Sequence, residues 1–301
     1  MTNIGTSPRP VVVGVDGSAS AQHAVRWAAR EAERRNAPLR LVNVCYLMPV
    51  RHPKQVPPPA EFHDAFLEQS RHWLDQAAQV ARRTVPDVTV DSDVRDGIVG
   101  DVLVRESAGA QLVVLGFRGI GGFSGLLVGS VTVTVSAHAH CPVVVMRSSA
   151  AGEVPPDSGP VVVGVDGSPL SDAAVEFAFE AAAARRVPLL AVHTWADVDV
   201  AGMWAALPST IDWDWVRTQE TRVLDDSLAR WLDKFPDVEV HKILERDRPV
   251  RTLLGAAVGA QLVVVGSRGR GALTGLGLGS VSQSLLHHAE CPVAVVRAET
   301  K

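Results

Sequence analysis

The chain repeats itself. "PVVVGVDGS" occupies residues 10–18 and again 160–168, and "GAQLVVLGFRG" at 109–119 returns as "GAQLVVVGSRG" at 259–269. "CPVVVMR" at 141–147 likewise returns as "CPVAVVR" at 291–297, and each second copy begins 150 residues after the first. A unit of that length is far larger than a solenoid repeat and has the size of a domain with its own core. The duplication predicts two similar domains, 1–150 and 151–301, meeting in "SSAAGEVPPDSG" at 148–159. Small, polar and proline residues make that stretch a poor helix or strand.

Within each half, short Val/Leu-rich runs alternate with longer amphipathic segments. The first half offers strands at Val11–Val15, Leu39–Cys45, Val88–Val94, Leu112–Gly116 and Val143–Met146. The second offers Val161–Val165, Leu189–Thr194, Val238–Leu244, Leu262–Gly266 and Val293–Val296. Ala19–Arg35, with Ala24, Trp27, Ala28 and Ala32 at helical spacing and Ser20 as a candidate cap, and Phe62–Arg83 read as helices. Continuous rather than alternating hydrophobic strands imply burial on both faces, hence an α/β fold with a mostly parallel sheet.

Several classes drop out. With 29 basic against 33 acidic side chains the net charge is -4, and no basic run marks a nucleic-acid partner. Cys45, Cys141 and Cys291 form no CxxC and leave an odd thiol, which argues against a disulfide framework or a structural zinc site. The first residues lack a signal-peptide pattern and no apolar run approaches membrane-spanning length, so a cytoplasmic protein with no membrane partner is expected.

The most informative segment follows the fourth strand. Both halves carry G-x-x-G-x9-G-S there: Gly116, Gly119, Gly129 and Ser130, then Gly266, Gly269, Gly279 and Ser280. Glycines let a ligand approach the main chain, and the N–H groups opening the next helix favour an anion. Ser130 and Ser280 are thus expected to bond phosphate oxygens; the plainer alternative is a serine helix cap. The chain's four lysines, Lys54, Lys234, Lys242 and Lys301, all lie outside these loops, which excludes a P-loop, and "GVDGSAS" is not a Rossmann GxGxxG. Arg118, Arg268 and Arg270 sit within the loops and either partly replace the missing lysine or only face water. Asp16 and Asp166, just beyond the first strand of each half, face the same crevice if the strand order reverses there. Gly14, Val15, Gly164 and Val165 would form its floor. Like charge makes a direct aspartate–phosphate contact poor, so these carboxylates are expected to accept from ribose or base, or to share a magnesium ion.

With "VVVGVDGS" opening both halves, G-x-x-G-x9-G-S in each and "CPV" entering the last strand, the chain resembles the universal stress protein family in its tandem form, over 10–147 and 160–297. That resemblance implies two three-layer domains, each with a five-stranded parallel sheet of order 3-2-1-4-5, and one ATP per domain. It places an adenine-side contact at Val44 and Thr194. It places the phosphate loop at Gly116–Gly122, including Gly121 and Gly122, with Gly129–Val131. The second loop is Gly266–Ala272, including Gly271, with Gly279–Val281. Ala272 stands where the first half has Gly122.

ATP, with or without Mg2+, is then expected to be held rather than rapidly split, since no lysine, acid or histidine is paired with either loop in sequence. His138, His140, His287 and His288 fall at the far end of the following helix. An ATP-using hydrolase or transferase, and a structural interaction module without nucleotide, are the alternatives. Four tryptophans between the second strand and second helix of the second half, Trp195, Trp204, Trp213 and Trp215, either pack a long loop or contact a base or partner. The uncharged final strands suggest that the two domains pair through Val143–Met146 and Val293–Val296. Homodimerisation through other surfaces stays open.

Overall fold

The computed structural model describes residues 8–45, 60–120, 128–147, 158–195, 212–270 and 277–298. The chain divides into two compact units, Met1–Ser148 and Ser149–Lys301. The first runs β1 (Val11–Gly14), α1 (Ala19–Arg34), β2 (Leu39–Cys45), α2 (Ala60–Thr84), β3 (Val90–Asp96), α3 (Val99–Ser107), β4 (Leu112–Gly116), α4 (Ser130–His138) and β5 (Val143–Met146). The second runs β6 (Val161–Gly164), α5 (Pro169–Arg185), β7 (Leu189–Thr194), α6 (Trp213–Lys234), β8 (Val240–Glu245), α7 (Pro249–Ala256), β9 (Leu262–Gly266), α8 (Ser280–His288) and β10 (Val293–Val296).

Strand order is β3-β2-β1-β4-β5 in the first unit and β8-β7-β6-β9-β10 in the second, the expected 3-2-1-4-5 in each. All strand pairs within the units are parallel, for example Val11 opposite Leu39 and Leu112, and Val161 opposite Leu189 and Leu262. The central strands are sealed on both faces: Val11–Val13, Leu112–Val114 and their repeats are essentially inaccessible. Against them α1 lays Ala21, Ala24, Val25, Ala28 and Ala32, small residues that let the helix axis approach the sheet. Cys141 and Cys291 are buried beside β5 and β10, and desolvation pushes both thiols up to about 12. Such thiols remain protonated and inert.

Three details differ from expectation. Ser18, not Ser20, caps α1, its Oγ accepting from the Ala21 N–H at 3.1 Å. Gly17 makes this possible: its φ of +83° turns the chain early enough for the helix to open at Ala19. Strands β3 and β8 sit about two residues later than their hydrophobic runs. They end their unit's sheet order and are half exposed, so polar residues such as Asp91, Asp93 and Arg95 serve as well as valines. Short helices α3 and α7 fill the connection before the fourth strand of each unit; their caps, Ile98 and Arg248, carry no capping side-chain bond.

Candidate functional site

In each unit the first and fourth strands lie side by side, and their carboxyl ends open a crevice at the point where strand order reverses. In the first unit Asp16 closes it from one side. Its Oδ1 accepts from the Ser18 N–H at 3.0 Å, and its Oδ2 accepts from the Ile120 N–H at 2.9 Å across the crevice. The Ser18 hydroxyl donates to the Arg118 carbonyl at 3.2 Å, and the Arg118 N–H donates to Ser20 Oγ at 3.3 Å. Three contacts thus clasp the turn after β1 to the loop after β4. Gly119 is required by space, not by dihedral: a Cβ there would strike the Asp16 carboxylate. At Gly116 a Cβ would lie 2.6 Å from Ser20 Oγ.

The second unit repeats the aspartate's part of the clasp, while Leu170 stands where the first unit has Ser20. Asp166 accepts from the N–H groups of Ser168 and Arg270, both at 2.9 Å, and a Cβ on Gly269 would lie 2.6 Å from its Oδ2. Burial alone would raise the Asp166 pKa. Bonds from the Ser168 side chain and N–H, the Arg270 N–H and the Ser171 hydroxyl outweigh it and hold the carboxyl below its ordinary value.

A cavity of about 530 Å³ opens beside this carboxylate. Gly164, Val165, Asp166, Thr194, Gly266, Arg268, Gly269, Gly279, Ser280 and Val281, all candidates from the sequence, line it together with Arg270. In the first unit Gly14 ends β1, Val44 lies near the end of β2, and Gly129, Ser130 and Val131 open α4. Gly121, Gly122, Gly271 and Ala272 lie outside the described residues. Ser130 and Ser280 are not caps: Gly129 and Gly279 occupy that position without a side-chain bond, so each serine is the first helical residue. Its hydroxyl is not engaged in capping, and Ser280 faces the cavity.

Other residues join the second site unannounced by any motif. Glu220 on α6 and Trp195 after β7 line the cavity. His193, 1% exposed, holds Glu220: its Nε2 lies 2.8 Å from Glu220 Oε2, while its Nδ1 meets the Val165 carbonyl at 2.7 Å. An acid therefore does approach one glycine loop in three dimensions, Glu220 at 3.8 Å from Arg270, with His193 behind it. The first unit has Asn43 at the equivalent of His193, donating its side-chain N–H to the Val15 carbonyl at 2.7 Å, and buried Ser70 at the equivalent of Glu220.

Trp195 and Trp213 bring their rings to 5.9 Å, and the Arg246 guanidinium lies 3.7 Å from the Trp213 ring centre and 5.5 Å from that of Trp195. The tryptophans thus divide: one pair packs at the cavity rim, Trp215 is exposed on α6, and Trp204 lies outside the described residues. His138 turns back on its own helix, its Nδ1 2.9 Å from the Thr134 carbonyl, and His287 and His288 close the last turn of α8, away from Ser280.

The model of the universal stress protein family matches residues 8–147 and 158–297. A universal stress protein of Mycobacterium tuberculosis is 39% identical over 297 residues, covering 97% of this chain and 98% of its own length. One from Mycolicibacterium smegmatis is 40% identical over 293 residues, covering 95% and 96%. The solved structure of a universal stress protein from Archaeoglobus fulgidus superposes with a TM-score of 0.71 at 19% identity, covering 97% of this chain and 99% of that one; the likeness is one of fold.

Proposed function

The chain belongs to the universal stress protein family, and on that footing we propose that it is a nucleotide-responsive regulatory protein binding one ATP in the crevice of each unit and holding it with little or no hydrolysis. The observation that carries this reading is the clasp present twice. In each unit a loop whose glycine, Gly119 or Gly269, packs against an aspartate carboxylate is tied to that aspartate across the crevice, beside the N-terminus of a helix whose first residue is a serine. Backbone N–H groups at that terminus, with the Ser130 or Ser280 hydroxyl, suit phosphate oxygens. The second cavity, at about 530 Å³, is of the size that small-molecule sites require.

ATP supplies a triphosphate anion and an adenosine, and the residues fit both. Arg268, Arg270 and Ser280 face the anion; Asp166, Thr194 and Trp195 remain for the adenosine. Asp166 keeps lone pairs beyond the two that its loop contacts use, so a ribose hydroxyl can still donate to it. Among the described residues no three His, Cys, Asp or Glu side chains gather to hold a metal, so Mg2+ would enter on the phosphates. Calorimetric titration of the whole chain tests the stoichiometry. Saturation near two nucleotides per chain is expected, and recovery of labelled ATP intact after long incubation. Saturation at zero, or rapid turnover, would refute the reading.

A further inference from the structure

The two crevices differ in three positions that change together. His193, Glu220 and Arg270 in the second unit stand where the first has Asn43, Ser70 and Ile120. One set brings two charged side chains and a histidine; the other carries no charge. The ionic set is connected. The Val165 carbonyl can only accept, so His193 Nδ1 donates to it at 2.7 Å, and this fixes the buried ring. The other nitrogen is thereby aimed at Glu220 Oε2, 2.8 Å away, and the same oxygen lies 3.8 Å from Arg270 Nη1. The Arg270 main chain is pinned separately, its N–H donating to Asp166 at 2.9 Å. Its side chain lies over the turn after β6, where a Cβ on Gly167 would come within 2.5 Å of Nη2.

An exposed arginine on a glycine-rich loop would ordinarily sample many rotamers and lose that freedom on binding a ligand. Here Glu220 faces it from α6 and restrains the arm within the cavity wall. The Arg270 side chain is 47% exposed and its ion pair is long, so the pair adds little stability. Its consequence is orientation. A guanidinium has five N–H donors in a planar fork that matches phosphate, and the pair with Glu220 engages one nitrogen.

We propose that Arg270, positioned by Glu220 and through it by His193, makes the second site discriminate nucleotides by phosphate charge, favouring the triphosphate over the monophosphate more strongly than the first site does. This rests on the nucleotide reading above and adds an inequality between the sites. The first unit presents Ile120 at this point, 61% exposed, which offers a phosphate nothing.

The test uses full-length chains with one crevice closed: Gly119→Val leaves the second site and Gly269→Val the first. Each is titrated with ATP and AMP, with circular dichroism checking the fold. The ATP-to-AMP affinity ratio is expected to be about tenfold larger for the second site, the worth of one partly exposed charge-assisted contact. Arg270→Ile should remove that factor from ATP and leave AMP nearly unchanged, and Arg270→Lys should restore part of it. Glu220→Gln should lose a smaller share, again on ATP alone, which a merely structural role would not produce. His193→Asn borrows the first unit's own residue and provides a second route to freeing Glu220. Equal losses for ATP and AMP in Arg270→Ile, or an unchanged ratio in both Glu220→Gln and His193→Asn, would overturn the inference while leaving nucleotide binding intact. A second site that takes neither nucleotide in the Gly119→Val chain would overturn both.

Discussion

The two units share backbone, loop spacing and clasp, yet solve the same local problems with different chemistry. Beside the first crevice a buried carbonyl is satisfied by Asn43; beside the second the equivalent carbonyl is met by His193, which reaches on to a carboxylate. What both keep is the geometry a loop needs to surround an anion. What they vary is which charges stand around it. A duplicated domain thus separates the requirements of the scaffold from those of a particular ligand.

The largest effect is expected where the units agree. Valine at Gly119 or Gly269 places a Cβ against the carboxylate of Asp16 or Asp166, closer than packed atoms approach, so either the carboxylate or the loop must move and the clasp between them opens. Each substitution should lower affinity at its own crevice by roughly a hundredfold or more, about 2.7 kcal/mol, and halve the stoichiometry in calorimetry. If one variant abolished binding at both crevices, the picture of two self-contained sites would fail.

The next effect separates the units. Asn43→Leu removes the side-chain N–H that donates to the Val15 carbonyl, and should cost about 1–3 kcal/mol in denaturant unfolding. His193→Leu should cost more, since Glu220, with its side chain 22% exposed, loses its partner as well. Equal costs would mean that the Glu220 contact contributes nothing to the fold.

A graded effect follows from Asp166, whose folded pKa lies below the ordinary 3.8. A depressed carboxyl contributes stability that is fully present above the unfolded value and is lost as pH falls through the folded one. The protection factor of the Arg270 N–H, which divides out the intrinsic pH dependence of amide exchange, should hold steady above pH 3.8 and fall only as acid protonates Asp166 below it. Protection already lost on going from neutral pH to about pH 5 would assign the clasp to another group.

How much of this was legible beforehand depended on whether the signal was local. The buried strands were read to the residue where valines and leucines run unbroken, as in Leu112–Gly116 and Val143–Met146. Strands β3 and β8 were displaced because a half-exposed strand at the end of the sheet order is not obliged to be hydrophobic. Helices α3 and α7 span nine and eight residues and lack a capping side chain, so neither periodicity nor a cap announced them. The glycine loops and aspartates were visible because spacing within one segment encodes them. His193 and Glu220 lie 27 residues apart on different elements, and only folding joins them. One signal was nevertheless available. Comparing the copies position by position at the 150-residue offset exposes Asn43 against His193, Ser70 against Glu220 and Ile120 against Arg270.

The smallest expected effect comes from the same comparison, at β2 and β3. Arg40 pairs with Asp91 at 2.9 Å and Asp93 at 3.1 Å, and Arg95 joins Asp93 and Glu106, both at 3.0 Å. Arg40 Nε also lies 3.1 Å from Glu106 Oε2 but is out of line for a hydrogen bond, so that contact is electrostatic only. The equivalent positions for Arg40, Asp93 and Glu106 in the second unit are Leu190, Ile243 and Ala256: at these three positions one unit uses ions and the other aliphatic groups. Replacing Arg40 alone by leucine leaves three carboxylates with Arg95 as the remaining cation of the network, and should cost about 1 kcal/mol at low salt. High salt screens the ion pairs of the parent and the repulsion in the variant alike, so the gap should narrow toward 1 M NaCl. The triple replacement Arg40→Leu, Asp93→Ile and Glu106→Ala imports the second unit's three aliphatic residues. It leaves Asp91 and Arg95, where the second unit has His241 and Glu245, but should recover most of the loss, because ion pairs exchanged for well-packed apolar groups are often neutral or stabilising. A cost for Arg40→Leu that is the same at low and high salt would show that Arg40 acts through the packing of its aliphatic stem, and that the two units differ here less than their charges suggest.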